Sequence, residues 1–157
     1  MARPHSKLTA AAGEHFVAYK LARLGYIAAL VREGSQAIDI LASNVSGSRT
    51  VGIQVKTTFW AERTRGRGAQ KKPAELQFPL GHHAIEQVSD KVVFCFVDLR
   101  GYIADALPNV YVIPAGDLLR EYKGVNIRQY SYFRYHRPID ALAKYKNQWS
   151  PIQEVLA

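Results

Sequence analysis

Gln36-Ala-Ile-Asp-Ile-Leu-Ala42 and Thr50-Val-Gly-Ile-Gln-Val-Lys-Thr-Thr58 flank the polar segment Ser43-Asn-Val-Ser-Gly-Ser48. Two runs rich in β-branched residues on either side of a glycine-containing turn predict a hairpin. Side chains alternate along a strand, so Gln54, Lys56 and Thr58 share one face while Ile53 and Val55 take the other. With the loop centred between Ser46 and Gly47, Asp39 falls opposite Gln54, and cross-strand partners project from the same face. An acid, an amide and an amine then meet on one patch. A register slip of one residue would send them to opposite faces.

Upstream, the spacing predicts a helix over Thr9 to Leu24, with Ser6 or Thr9 as N-cap and Gly25 as the stop. Val17, Ala18, Leu21 and Leu24 form its apolar stripe. Glu14 lies in line with that stripe, where an unpartnered carboxylate is costly to bury. Two readings stand side by side: a functional carboxylate, or a solvated one that only interacts with the helix dipole. Tyr26 to Arg32 reads as the first strand, turned by Glu33-Gly34-Ser35 into the hairpin. Three strands joined by short turns predict an antiparallel meander behind the first helix.

Downstream, Ala61 to Lys72 lacks periodicity and reads as a loop. It carries Arg63, Arg65, Arg67, Lys71 and Lys72 against the single acid Glu62. Any ligand held near Lys56 would feel that charge, and a phosphate backbone is the natural candidate, with a solvated charge run as the alternative. Leu76 to Leu80 suggests a short edge strand, and His82 to Ser89 a helix. His82 and Glu86 are spaced to share a helix face but lack a third metal ligand nearby. Lys91 to Leu99 and Asn109 to Pro114 read as buried strands, Ala115 to Tyr122 as a helix closed by Gly124. Asp98, at a strand end, reads as a turn or cap residue. In Arg128 to Arg137 cations and aromatics interleave, a pattern that suits phosphates and bases or an edge strand with tyrosines on both faces. Pro138 opens a final helix from Ile139 to about Trp149.

At 157 residues the chain predicts one domain, able to bury roughly two-thirds of its unfolded surface. An apolar fraction of 48% with 22% charged residues excludes disordered and fibrous classes. No run is long enough for a membrane span. The polar N-terminal segment lacks a secretory h-region, so a cytoplasmic location is expected. Cys95, the single cysteine, sits in the apolar run Val92 to Val97 and reads as a core residue. A net charge of +8 with a pI near 9.7 favours a polyanionic partner.

Gly13-Glu14 on a helix, then Ile38-Asp39-Ile40 and Ile53-Gln54-Val55-Lys56 on strands, then alternating helix and buried strands, resemble the PD-(D/E)XK nuclease superfamily. Within it the chain is most similar to Mrr-type restriction endonucleases and archaeal Holliday junction resolvases. The resemblance covers about residues 9–122, leaving 123–157 as a C-terminal extension. It implies an α/β, restriction-endonuclease-like core in αβββαβ order, a central four-stranded mixed sheet flanked by helices. It further implies that Asp39 binds metal, that Glu14 is the additional helix carboxylate and that Lys56 is the motif lysine. The Val55 backbone carbonyl joins Glu14, Asp39 and Gln54 in the implied metal set. Gln54 replaces the usual second acid, as in Mrr-like members; an amide oxygen can ligate Mg²⁺ but adds no negative charge.

The residue types suit that chemistry in their own right. Phosphodiester hydrolysis needs an activated water and compensation of charge on the phosphorane, which carboxylate-held Mg²⁺, or Mn²⁺, provides. Lys56 would position the water and stabilise developing charge. The expected function is therefore a Mg²⁺-dependent DNA endonuclease, with RNA as the other possible substrate; the family resemblance implies products with 5′-phosphate ends. Its rivals are a DNA-binding protein on a catalytically degenerate nuclease fold and a structural protein in which Lys56 forms an ordinary ion-pair network with Asp39 and Glu14. A branched or palindromic substrate would call for two active sites and hence a homodimer.

Overall fold

Register fixes the centre of the fold. The computed structural model describes residues 3–32, 37–86 and 88–157; the Glu33-Gly34-Ser35 turn, Gln36 at the head of the hairpin stretch and Gln87 lie outside the described residues. Strand β2 (Ile40–Ser43) pairs antiparallel with β3 (Thr50–Thr58), Ile40 facing Ile53 and Ser43 facing Thr50. Extended by one residue, that register sets Asp39 against Gln54, and Asp39 N donates to Ile53 O at 2.8 Å. Strand β1 (Ile27–Leu30) pairs antiparallel on the far side of β2, completing the expected meander.

Helix α1 (Ser6–Arg23) packs over this meander. Its cap is His5, whose Nδ1 accepts from Lys7 N at 3.3 Å, in place of Ser6 or Thr9. Gly25, at φ +89°, ends it as expected, because a left-handed residue there costs glycine nothing. The buried stripe runs Thr9, Gly13, Val17, Leu21, a strict four-residue spacing that leaves Leu24 exposed. At Gly13 the approach to the sheet is so close that a Cβ would stand 1.9 Å from Thr57 Oγ1.

Strand β6 (Val93–Asp98) runs parallel to β3, and β7 (Asn109–Pro114) antiparallel to β6, giving a mixed five-stranded sheet in the order β1-β2-β3-β6-β7. The expected core had four strands; β7 adds the fifth. The β3-to-β6 crossover is not a long helix. It contains strands β4 (Glu62–Arg65) and β5 (Lys72–Pro79) and the single turn α2 (His83–Glu86). Half of the expected basic loop is thus a hairpin, closed by a 3₁₀ turn at Gly68–Gln70. Its first strand holds only charged and hydroxyl side chains, so no apolar alternation marks it.

Strand β5 is the centre, not the edge, of a second sheet, because β8 (Arg134–Pro138) pairs on its other side. Leu76, Phe78 and Tyr135 turn inward from this sheet onto Phe94 and Phe96; Phe96 stacks on Tyr135 at a centroid distance of 4.7 Å. The opposite core, beneath α1, gathers Val17, Leu21, Ile40, Ile53, Val55 and Cys95. Cys95 is fully buried, and burial pushes its thiol far up, as expected of an inert core residue.

After α3 (Ala115–Glu121) the chain returns through β8. The single helix expected after Pro138 is broken into α4 (Ile139–Leu142), a 3₁₀ turn and α5 (Ser150–Leu156). The break is at Asn147, whose φ of +53° lets its N–H bond Val110 O at 2.6 Å while its Oδ1 accepts from Val110 N at 2.9 Å. Asn147 so satisfies the β7 edge at one position. Trp149, Ile152 and Leu156 then bury into the α1 core. Among the described residues no helix is long and apolar enough to cross a membrane.

Candidate active site

Strand β3 outlasts its partner. Pairing with β2 ends at Ile53, while β3 continues to Thr58. Along this open edge the Asp39 carboxylate takes the place of a neighbouring strand: its Oδ2 accepts from Val55 N at 2.7 Å and from Gln54 Nε2 at 2.6 Å. N–H and C=O of one residue in an extended strand point to the same side, so the Val55 carbonyl faces this edge as well. An ionised carboxylate only accepts, which fixes the amide of Gln54 with its nitrogen toward Asp39. Gln54 Oε1 therefore faces away, in a residue only 4% exposed, with no hydrogen-bond partner among the described residues.

Glu14 reaches the same edge from α1, carried there by the close contact of Gly13 with Thr57. Glu14, Asp39, Gln54 and Lys56 all line one cleft of about 440 Å³ between α1, β3 and the second sheet. Burial raises the carboxyls of Glu14 and Asp39 above their usual range; the charge of Asp39 raises Glu14 further, while Lys56 opposes both shifts. Burial pushes the Lys56 ammonium down, partly offset by the two carboxylates. Yet Lys56 forms no direct ion pair with either among the described residues. Its charge is held near two acids without being spent on one.

The oxygens of the cleft are hard ones: the carboxylates of Glu14 and Asp39 and, on the same strand edge, the Val55 carbonyl, with the amide of Gln54 alongside. That set suits a small divalent cation. No cluster of three or more His, Cys, Asp or Glu occurs among the described residues, so the negative charge comes from two carboxylates alone. His82 and Glu86 do not form a metal pair. His82 Nε2 donates to Ile127 O at 3.0 Å and Tyr130 O at 2.9 Å, and Glu86 accepts from Arg128 Nε at 2.7 Å. Asp98 organises a turn, accepting from Ala61 N at 3.1 Å and Arg100 N at 3.0 Å.

The basic segment divides. Arg63 lies in the cleft, its Nε donating to Gln77 Oε1 at 2.9 Å and its guanidinium to the carbonyls of Trp60, Ala61 and Glu62. Arg65, Lys71 and Lys72 line a separate depression, Arg65 paired with Glu75; Arg67 is exposed. Arg134 and Tyr132 join the cleft from the C-terminal third. Their interleaved pattern is visible in the sequence, but nothing there places them beside Lys56.

Over 98% of its length the chain superposes on 95% of the bacterial homing endonuclease I-Ssp6803I, with a TM-score of 0.59 at 13% sequence identity. The chain shares the fold of a nuclease. No protein-family model and no curated protein matches it.

Proposed function

We propose that this protein is a divalent-cation-dependent DNA endonuclease of the PD-(D/E)XK type, hydrolysing phosphodiester bonds in the cleft of Glu14, Asp39, Gln54 and Lys56. The observation that carries the reading is the meeting of Glu14, Asp39, Gln54 and Lys56 in one cleft, with Asp39 Oδ2 held by two donors. The nuclease fold shared with a homing endonuclease supports the reading.

Mg²⁺ or Mn²⁺, when bound, supplies Lewis-acid polarisation and a more acidic water. The chain does the rest. Asp39 and Glu14 contribute the negative charge, with Gln54 Oε1 and the Val55 carbonyl as neutral donors. Gln54 Nε2 and Val55 N hold Asp39 Oδ2, so that Oδ1 is aimed in advance of binding. Lys56 Nζ, partly desolvated and without an ion pair among the described residues, orients the attacking water and offsets charge building on the phosphoryl oxygens. Arg63 and Arg134, on the facing wall, hold flanking phosphates.

Incubation with supercoiled, linear and branched DNA in Mg²⁺ or Mn²⁺ tests this. The native chain should cleave at least one substrate, and Asp39→Ala and Lys56→Ala should not. No cleavage of any substrate, or equal cleavage by the variants, refutes the proposal. The neutral amide at position 54 favours one alternative, a DNA-binding protein on a degenerate nuclease fold. Metal-independent, salt-dependent binding without hydrolysis is its signature.

A further inference from the structure

The aromatic and basic run of the C-terminal third is not used up by the cleft. Tyr132 stands where three cavities adjoin: the cleft itself, a groove of about 420 Å³ along β8, and a hollow of about 340 Å³ that links Lys56 to His82. Its side chain is 63% exposed, and its hydroxyl makes no hydrogen bond among the described residues. A tyrosine kept for the core would be covered and bonded. Here the ring is instead positioned by a cation, with the Arg134 guanidinium 4.5 Å from its centroid. Arg134 is held in turn, donating to Gln77 Oε1 at 3.2 Å, the same oxygen that accepts from Arg63. Behind them Tyr130, 48% exposed, stacks on Phe133, which meets Tyr122 edge-on at 5.0 Å, giving the groove a firm aromatic floor.

We propose that Tyr132 and Arg134 form a stacking site for an unpaired nucleotide whose backbone continues into the carboxylate cleft. An exposed ring beside a fixed cation binds a base face and the phosphate next to it. Within a duplex, base faces are covered by their neighbours, so only an unpaired base can present one to Tyr132. A groove of this volume is of the size that small ligands occupy. The substrate class narrows accordingly, from DNA in general to DNA with a single-stranded, bulged or splayed nucleotide at the cleavage site. This rests on the nuclease reading for its backbone path, though not for its stacking contact.

Binding separates the two. Fluorescence anisotropy in EDTA would compare a labelled single strand, a blunt duplex and the same duplex with one unpaired adenine. The native chain should bind one or both unpaired forms about fivefold to a hundredfold more tightly than the blunt duplex, the worth of one base-to-ring stack. The bulged form reports an extrahelical base and the single strand a free end, and preference for either supports the site. Tyr132→Ala should bring the unpaired forms to the duplex level with duplex binding and melting temperature unchanged, and Tyr132→Phe should keep the preference. No preference in the native chain, or one that survives Tyr132→Ala, overturns the proposal. Asp39→Ala should keep the preference while losing cleavage in Mg²⁺. Preference without native cleavage would sink the nuclease reading alone, and cleavage without preference would sink the stacking site alone.

Discussion

Replacing Gln54 by glutamate is the severest test of how charge is arranged in the cleft. Gln54 Nε2 donates to Asp39 Oδ2 at 2.6 Å, a hydrogen bond to a charged group worth about 1.5–3 kcal/mol. Gln54→Glu removes the donor and sets a second anion against the first. Relaxed to about 4 Å at an effective dielectric near 20, the two repel by about 4 kcal/mol. Holding a shared proton recovers part of the sum, leaving a net metal-free cost of about 4 kcal/mol. For a chain of this size that is a fall in melting temperature of roughly 8–16 °C.

The pH dependence has a definite sign. Burial already raises the Asp39 carboxyl, and a neighbouring glutamate would raise the pair further. A folded pKa above the unfolded one leaves stability intact below the unfolded value, about pH 4, and removes it as pH rises through the folded value. Gln54→Glu should thus melt near the native temperature at about pH 4.5 and far below it at about pH 8. Millimolar Mg²⁺ should raise the variant more than the native chain, since the cation now meets an added charge. Thermal melts at both pH values, in EDTA and in Mg²⁺, decide the matter. Equal stability of variant and native chain at pH 8 in EDTA would mean that the two side chains do not face each other.

Gly13→Ala places a methyl 1.9 Å from Thr57 Oγ1; we expect a loss of about 1–3 kcal/mol in denaturant melts, together with reduced cleavage as Glu14 is lifted from the edge. Adding Thr57→Ala removes two of the three crowding atoms and should restore part of both, and no recovery would argue against this contact. Alanine at Arg67, Lys71 and Lys72 should lower the slope of log binding constant against log salt by about 0.9 for each residue that meets a phosphate, with melting unchanged. Arg63→Ala should lower that slope as well and, unlike those three, also lower stability by about 1–3 kcal/mol, because it strips donors from Gln77 and three backbone carbonyls; unchanged melting of Arg63→Ala would refute its bracing role. Phe96→Ala, at the centre of the inter-sheet stack, should cost about 3–5 kcal/mol, read from chemical denaturation.

Much of the central sheet is legible in the chain because its signals are local. A loop centred between Ser46 and Gly47 brings Asp39 to Gln54, and the pairing of Ile40 with Ile53 has that register. Gly25 and the apolar runs of β6 and β7 likewise mark their elements without help from distant contacts. Failures fall where a strand is defined by its partner. Strand β4 has no apolar residue to betray it and exists because β5 pairs with it; β5 is central only because β8 returns from the C-terminal third. The last helix breaks at Asn147, where bonding to Val110 on β7 outweighs continued helix.

The sequence by itself determined the hairpin and the shared strand face of Gln54 and Lys56, since a period of two leaves little freedom; the pairing of Ile40 with Ile53 decided the register that sets Asp39 against Gln54. Tertiary structure decided the rest of the cleft. Glu14 arrives through a glycine contact between helix and sheet. Among the described residues Lys56 stays clear of an ion pair and Gln54 Oε1 of a hydrogen bond, and Tyr132 and Arg134 come to the rim from far along the chain. Each of these depends on how surfaces meet, and no local pattern encodes that.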